Sequence, residues 1–328
     1  MKNTNTPALF DITPELMSSN HDLVREQLHQ YLERTGSSQT VVAKAIDFST
    51  GALSSFLKNT YKGDSNAIAT RLVDFLNLET QRQAAPKAPE FVMTNFANHI
   101  LSLAGYAHVN KDIGLINGDA GVGKTFTLEH YVKTHPGVIF ITAGPGMASP
   151  KAIIEEIMDQ LGCKEYGTLN RMIKVIINVL KGSGRLIIID EATHLTMLSR
   201  ETLRSIHDQA EIGIVYCGTH ELYKQMYGSH GQVYAQLLSR VGVTRALHRK
   251  NITKDDIRLI FEQSGKLNSE CINLLYERSH GEGGLRFARK MYMLGSTLAF
   301  SEGKELEIDH LQEALSMVMG KASSSVAV

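Results

Sequence analysis

One stretch of eight residues constrains the fold of this chain more than any other. It reads Gly-Asp-Ala-Gly-Val-Gly-Lys-Thr from Gly118 to Thr125 and fits the spacing Gly-x-x-x-x-Gly-Lys-Thr of a phosphate loop. An apolar run at residues 113–116 precedes it and a helix-forming segment follows it, which is the order such a loop requires. The alternative, a glycine-rich turn before a structural helix, leaves the lysine unexplained.

This loop predicts a site for a nucleotide and Mg²⁺. Glycines allow backbone N–H groups to turn toward a polyphosphate, and the N-terminus of the next helix adds partial positive charge. Lys124 is expected to reach the β- and γ-phosphates, and Thr125 to ligate Mg²⁺. The predicted nucleotide-binding residues are Gly118, Gly121, Val122, Gly123, Lys124, Thr125 and Phe126.

Apolar strands alternate with helical stretches beyond the loop. The predicted strands lie at residues 113–117, 138–142, 186–190, 212–217 and about 241–247. This alternation indicates an α/β fold, a parallel sheet flanked by helices on both faces. The nucleotide is expected at the carboxyl ends of the strands.

A second motif follows the strand at residues 186–190. Its apolar residues predict a buried central strand that ends at Asp190, whose carboxylate can hold the water shell of Mg²⁺ beside Thr125. Glu191 is then placed to orient and deprotonate an attacking water. The alternatives are a solvated acidic corner and the acidic box of helicases, although no second helicase-like domain follows.

Three more side chains are candidates for the catalytic site. Thr219 follows a predicted strand and would sense the γ-phosphate, or it caps the next helix. Arg240, with Arg245 as its rival, would cross a subunit boundary to a neighbour's γ-phosphate, or it belongs to a basic surface that is solvated or faces DNA. Arg286 lies in the first turn of a late helix and would bend back onto bound nucleotide.

Composition limits the partners of the chain. Lys and Arg number 34, as do Asp and Glu, so any contact with nucleic acid must come from a local patch. The three cysteines show no metal-ligand or redox spacing, which favours a reducing cytoplasm. The N-terminus lacks the apolar core of a secretion signal and no apolar stretch reaches bilayer length, so we expect no membrane partner.

The segment before the α/β region predicts an all-α helix-turn-helix domain. Helical stripes flank a tight turn at residues 47–49, and Thr50 is expected to cap the helix after it. In that arrangement Thr50, Ser54, Ser55 and Lys58 would face a DNA major groove. A small helical domain without DNA contact is the alternative, because the charges of this segment nearly balance.

These patterns divide the chain into six parts. We expect a flexible N-terminus at 1–20, the helix-turn-helix domain at 21–79, a linker at 80–90, a phosphate-loop ATPase core at 91–250, a small helical lid at 251–320 and a disordered tail at 321–328.

Together the motifs resemble those of AAA+ ATPases, and with the helical domain in front the chain resembles the B transposition proteins of Mu-like phages. The matching segments are residues 49–56 (Ser-Thr-Gly-Ala-Leu-Ser-Ser-Phe), 61–64 (Tyr-Lys-Gly-Asp), 121–125 (Gly-Val-Gly-Lys-Thr), 188–192 (Ile-Ile-Asp-Glu-Ala) and 194–195 (His-Leu). The N-terminal match is the more discriminating, because phosphate loops occur in very many ATPases.

The resemblance implies ATP and Mg²⁺ as cofactors and an ATPase in the bacterial host cytoplasm. It implies ATP-dependent, largely sequence-independent binding to double-stranded DNA, self-assembly into a helical filament or ring, and delivery of that DNA to a transposase. Basic residues on loops lining the filament would grip the DNA, with Lys151, Arg200 and Arg204 as candidates. Thr219 departs from the asparagine of the phage protein at this position, so the contact to the γ-phosphate is less secure.

Two other functions remain open at the level of sequence. A helicase loader or insertion-sequence helper ATPase shares the ATPase core but differs in its N-terminal region. A nucleotide-regulated transcriptional repressor would use the helix-turn-helix as its main DNA contact. A scaffold without turnover is less consistent with Glu191.

Overall fold

The computed structural model describes residues 20–84, 86–228, 235–263 and 265–320. The chain divides into two compact units, at Met1–Pro86 and Lys87–Val328. The predicted tail and all but the last residue of the predicted flexible N-terminus lie outside the described residues. That last residue, Asn20, accepts a hydrogen bond from Leu23 N at 3.2 Å and caps the first helix.

Four helices form the described part of the first unit. They are α1 His21–Thr35, α2 Gln39–Ala45, α3 Thr50–Leu57 and α4 Ser65–Ala84. Apolar residues at helical spacing meet in one core that includes Leu28, Leu53, Phe56 and Leu72, all fully buried. The predicted order of helix, turn and helix is present in α2 and α3.

The cap of α3 differs from the prediction. Ser49 has extended backbone and its hydroxyl accepts from Ala52 N at 3.1 Å, whereas Thr50 is already the first helical residue. Both residues carry a hydroxyl, so composition alone did not decide between them. The backbone conformation of Ser49 makes it the cap.

Helix α4 continues past residue 80, where the linker was predicted to begin. Thr80 Oγ1 donates to Leu76 O at 2.8 Å, and Arg82 pairs with Glu79 at 2.6 Å. The segment 80–84 is polar but composed mainly of good helix formers, so polarity was a poor guide to its structure. The helix ends at Ala84, before Pro86.

The second unit is built on a five-stranded sheet. The strands are β1 Ile113–Gly118, β2 Ile139–Thr142, β3 Leu186–Asp190, β4 Gly213–Gly218 and β5 Val241–Leu247. All pairs are parallel, in the order β2-β3-β4-β1-β5. The predicted parallel sheet is confirmed, with β1 and β3 central and next to β4.

Helices cover both faces of this sheet. They are α5 Asn95–Asn110, α6 Lys124–Thr134, α7 Pro150–Leu161, α8 Leu169–Leu180, α9 Met197–Ala210, α10 His220–Tyr227 and α11 Ala235–Leu238. Alternate residues of β3 pack into two different hydrophobic cores. Ile187 and Ile189 belong to one core, and Leu186 and Ile188 belong to the other. Because both faces of β3 are buried, its first four residues are all apolar.

Four helices complete the second unit in the segment that was predicted to form a lid, and we refer to them as the lid. They are α12 Lys254–Phe261, α13 Ser269–His280, α14 Gly284–Ser301 and α15 Ile308–Val318. A capping box begins α12, with Thr253 and Asp256 bonded reciprocally. Asp256 Oδ1 also accepts from Asn95 N at 3.1 Å, which links the lid to α5. None of the described helices has the length and apolarity needed to cross a membrane.

Candidate nucleotide site

The phosphate loop connects β1 to α6 at the carboxyl edge of the sheet. Gly118 ends β1, Gly123 precedes α6, and Gly121 has a φ of 78°, a conformation that a side chain would strain. Val122 is buried in the apolar core, so only its backbone can face a phosphate. The side chain of Phe126 is 44% exposed in the first turn of α6.

Lys124 lies across this loop. Its side chain is buried, and its ammonium donates to the carbonyl oxygens of Gly118 at 3.0 Å and Asp119 at 2.9 Å. An ammonium has three N–H donors, so one is left for an anion in the loop. The predicted phosphate-binding lysine is therefore held in place by the backbone of its own loop.

Thr125 and Asp190, the two predicted metal ligands, are in direct contact. Thr125 Oγ1 donates to Asp190 Oδ2 at 2.6 Å, although 65 positions separate the residues. Asp190 is 1% exposed, and its other oxygen accepts from Glu191 N at 2.9 Å. A hydroxyl and a buried carboxylate are hard oxygen donors, so this pair fits Mg²⁺.

Glu191 begins a sharp turn after β3. Its φ is 50°, which is uncommon for a residue with a side chain, and the following residues form a short 3₁₀ turn. The chain therefore turns away from the buried strand at Glu191. The half-exposed side chain of Glu191 directly follows Asp190, one of the predicted metal ligands. The structure brings Lys124, Thr125, Asp190 and Glu191 to the same edge of the sheet.

The lid contacts the phosphate loop directly. Leu285 N donates to Gly121 O at 2.8 Å at the start of α14. A Cβ on Gly284, whose φ is +57°, would lie 2.9 Å from Gly121 O, closer than ordinary contact. Arg286 is exposed in the first turn of α14, one residue beyond this contact.

Thr219 caps α10, as the alternative in the sequence analysis proposed. Its hydroxyl accepts from Glu221 N at 3.3 Å. The next residue, His220, contacts Asn117 Oδ1 through Nδ1 at 2.9 Å. Capping occupies one lone pair of the hydroxyl and leaves its proton available, so a contact to a γ-phosphate stays a proposal.

A polar cluster that no sequence motif indicated lies where β1, β4 and β5 end. Asp119 Oδ2 accepts from Arg249 N at 2.8 Å, and His220 Nε2 lies 3.5 Å from Asp119 Oδ1. The rings of His220 and His248 stack with centroids 4.6 Å apart. These residues follow three strands that are neighbours in the sheet, and the rule that ligands bind at carboxyl ends of strands would have indicated them.

Electrostatics keep Asp119 ionised. Burial alone would raise the pKa of this carboxyl, but the backbone N–H of Arg249 and the positive charges of His220, Arg249 and His248 lower it below the ordinary value. Arg249 also donates to Gly281 O, between α13 and α14 of the lid. The phosphate loop, the end of β5 and the lid are therefore linked through one arginine.

Arg240, the proposed trans-acting arginine, has a partner within its own chain. Its Nε lies 3.0 Å from Asp208 Oδ1, and its side chain is 49% exposed. The same carboxylate pairs with Arg204 at 2.6 Å. Exposed pairs of this kind contribute little stability, so Arg240 can exchange this partner at small cost.

Arg200 was predicted to contact DNA, and this prediction is wrong. The residue is 1% exposed, and its guanidinium donates to Ala192 O at 2.9 Å and Gln225 Oε1 at 2.6 Å. Leu203 and His207 are buried on the same face of α9, at helical spacing from Arg200. Arg200 therefore belongs to the interior of the unit.

The other predicted DNA-binding residues differ in their access to solvent. Lys151 is exposed in the first turn of α7, 3.6 Å from Glu155. The side chain of Arg204 is only 19% exposed and pairs with two carboxylates. In the first unit, Thr50 and Lys58 are exposed, whereas Ser54 and Ser55 are half-buried.

The family described as "AAA domain" matches residues 107–226, which include the loop, β3 and β4. "Mu-like prophage FluMu DNA transposition protein B" of Haemophilus influenzae is 30% identical over 274 residues, which is 81% of this chain and 94% of the relative. The chain belongs to the family of Mu-like B transposition proteins.

A second relative and a solved structure are also similar to this chain. "ATP-dependent target DNA activator B" of Escherichia phage Mu is 29% identical over 297 residues, 89% of this chain and 93% of that protein. A chain from the solved "Structure of Drosophila ORC bound to DNA" aligns with a TM-score of 0.49 and 14% identity, over 74% of this chain and 66% of that one. The AAA domain and the parallel sheet confirm the predicted fold class, an AAA+ ATPase.

Proposed function

We propose that this chain is an ATPase of DNA transposition that binds target DNA when it holds Mg·ATP and delivers that DNA to a transposase. The observation that carries the proposal is the contact of Thr125 with Asp190 at 2.6 Å beside Lys124. The names of the relatives, "DNA transposition protein B" and "ATP-dependent target DNA activator B", support the biological role. The three cysteines are free thiols, which suits the cytoplasm of a bacterial host.

Each residue of the site has a role in this proposal. Lys124 binds the β- and γ-phosphates, and Thr125 and Asp190 hold Mg²⁺, which neutralises charge on those phosphates. Glu191 orients the attacking water and accepts its proton, as its place after Asp190 allows. The lid closes over the nucleotide, with Arg286 near the loop because α14 begins there.

Assembly follows from the same site. We place Arg240 at a boundary between copies, where it leaves Asp208 and contacts the γ-phosphate of a neighbouring chain. Thr219 hydrogen-bonds the γ-phosphate while it caps α10. Copies then assemble on double-stranded DNA as a filament or ring only in the ATP state, and hydrolysis releases them.

We assign the DNA contacts to polar and basic residues that keep some access to solvent. In the first unit, Thr50, Ser54, Ser55 and Lys58 lie on or next to α3, the second helix of the helix-turn-helix. In the second unit, Lys151 and, after exchange of its carboxylate partners, Arg204 supply positive charge. Because the net charge is +0, the contact depends on these local groups and should weaken with salt.

The test compares wild type with Glu191→Gln on a random duplex. The variant should keep ATP binding but hydrolyse slowly, so its DNA complex should outlast that of wild type after free ATP is removed. Glu129→Gln, an exposed change on α6, is the matched control and should behave as wild type. Rapid release by Glu191→Gln would contradict the role of Glu191.

Two further experiments separate the rival functions. In the presence of ATP, footprints that extend along DNA of any sequence would favour the target-DNA activator. Protection of a single operator would favour a transcriptional repressor. Removal of residues 1–85 should abolish transposase activation if the first unit serves transposition. Unchanged activation would favour a helper ATPase that needs only the core.

A further inference from the structure

Asp119, His220 and His248 form a cluster that the proposed ATPase reaction does not use. They follow β1, β4 and β5, which lie side by side in the sheet. One donor atom from each residue lies within 4.8 Å of the donor atoms of the other two. A set of two imidazoles and one carboxylate binds transition-metal ions in preference to Mg²⁺.

The orientation of His220 suits a metal ligand. Its Nδ1 lies 2.9 Å from Asn117 Oδ1, and because an amide oxygen only accepts, Nδ1 carries the proton. The lone pair is then on Nε2, a buried atom without a hydrogen-bond partner among the described residues. Metal-bound histidines are commonly held in this way by a partner on the other ring nitrogen.

Asp119 is held with one oxygen toward the histidines. Its Oδ2 accepts from Arg249 N at 2.8 Å, whereas Oδ1 lies 3.5 Å from His220 Nε2. Two ligand atoms bound at tetrahedral angles to one Zn²⁺ lie about 3.4 Å apart, given bonds of about 2.1 Å. The existing separation of these two atoms therefore matches a shared metal.

His248 completes the set with a small movement. Its ring stacks on that of His220 at a centroid distance of 4.6 Å, and both residues are only half-buried. The donor atoms all lie within 4.8 Å of one another, so a shift of at most about 1.4 Å brings His248 to a metal-bound distance. The positive charge of neighbouring Arg249 opposes the binding of a cation. Its guanidinium, however, lies on the side of Asp119 Oδ2, with Nε at 3.8 Å, and donates to Gly281 O.

We propose that Asp119, His220 and His248 form a binding site for a transition-metal ion of the Zn²⁺ class, distinct from the Mg²⁺ ligands Thr125 and Asp190. The bound ion would tie the phosphate loop to the ends of β4 and β5. The site does not depend on the proposed function, because its ligands bind metal whether or not ATP is hydrolysed.

The test is a titration of the full-length, untagged protein with Co²⁺ as a spectroscopic substitute for Zn²⁺. Excess Mg²⁺ is present throughout to fill sites that prefer oxygen ligands. Wild type should bind one Co²⁺ with the visible absorption of low coordination number, and Zn²⁺ should displace it. His220→Gln and His248→Gln should each lower the affinity at least about tenfold, since loss of an outer partner alone costs about that much.

Controls keep the result interpretable. His29→Gln removes an exposed histidine of the first unit and should bind Co²⁺ as wild type does. Asp119→Asn keeps the side-chain shape and supplies a third ligand variant if a histidine variant does not fold. The proposal is overturned if wild type shows no saturable Co²⁺ binding, or if folded ligand variants bind as tightly as His29→Gln.

Discussion

The contact between lid and phosphate loop predicts a specific effect of Gly284→Ala. Gly284 has a φ of +57°, and a left-handed conformation costs a residue with a side chain about 1–2 kcal/mol. The new Cβ would lie 2.9 Å from Gly121 O and 3.1 Å from Ala120 O, both backbone atoms that cannot rotate away. Loop and lid must therefore separate.

Separation would break the hydrogen bond from Leu285 N to Gly121 O, now 2.8 Å long. Such a bond contributes about 0.5–1.5 kcal/mol net. If the lid closes over ATP, this loss should weaken ATP binding roughly two- to tenfold, at 1.4 kcal/mol for each factor of ten.

Gly303→Ala is the matched control. Gly303 has a φ of +68° in the same lid, but a Cβ there meets nothing within 4 Å. Both variants should lose about 1–2 kcal/mol of unfolding free energy in urea from the backbone term. Only Gly284→Ala should weaken ATP binding, measured by titration with a fluorescent ATP analogue. Equal affinities of the two variants would refute the argument that the lid acts through this contact.

Three other perturbations test separate parts of the structure. Thr125→Val removes the hydroxyl that bonds the buried carboxylate of β3, so Mg²⁺ should no longer strengthen ATP binding; an unchanged Mg²⁺ dependence by calorimetry would contradict this. Arg200→Met should lower the free energy of unfolding by about 1–3 kcal/mol, because buried acceptors lose their donor, while the folded variant keeps its DNA affinity; the reverse pattern would restore Arg200 as a DNA contact. In the native protein, iodoacetamide should label half-buried Cys163 first, since burial raises the pKa of Cys217 well above its usual range and that of Cys271 to about 11; equal labelling by mass spectrometry would count against these buried positions.

The sequence predicted most of the residues that the structure brings together at the candidate nucleotide site. Gly118–Thr125 and Asp190 were identifiable because each requires a buried strand followed by a fixed residue type, and both signals are local. The parallel pairing of the strands could also be predicted, since alternating strands and helices leave few arrangements other than a parallel sheet.

Other features depended on tertiary packing. Arg200 and Arg204 lie four residues apart on one helix and look equivalent in sequence, yet the first is buried and the second pairs at the surface. Which face of α9 turns inward is decided by the neighbouring core, not by the charge of either residue. The cluster of Asp119, His220 and His248 joins residues from three strand ends, and it becomes visible only when the order of strands is known.

The central claim is that the grip of Lys124 on ATP controls binding to DNA. The most direct measurement is fluorescence anisotropy of a labelled random duplex, with and without Mg·ATP, for wild type, Lys124→Ala and the control Lys133→Ala, an exposed lysine of the same helix. The account predicts that ATP strengthens DNA binding by wild type and by Lys133→Ala and has no effect on Lys124→Ala. Equal ATP-dependent binding by Lys124→Ala, or equally tight binding by wild type without ATP, would contradict it.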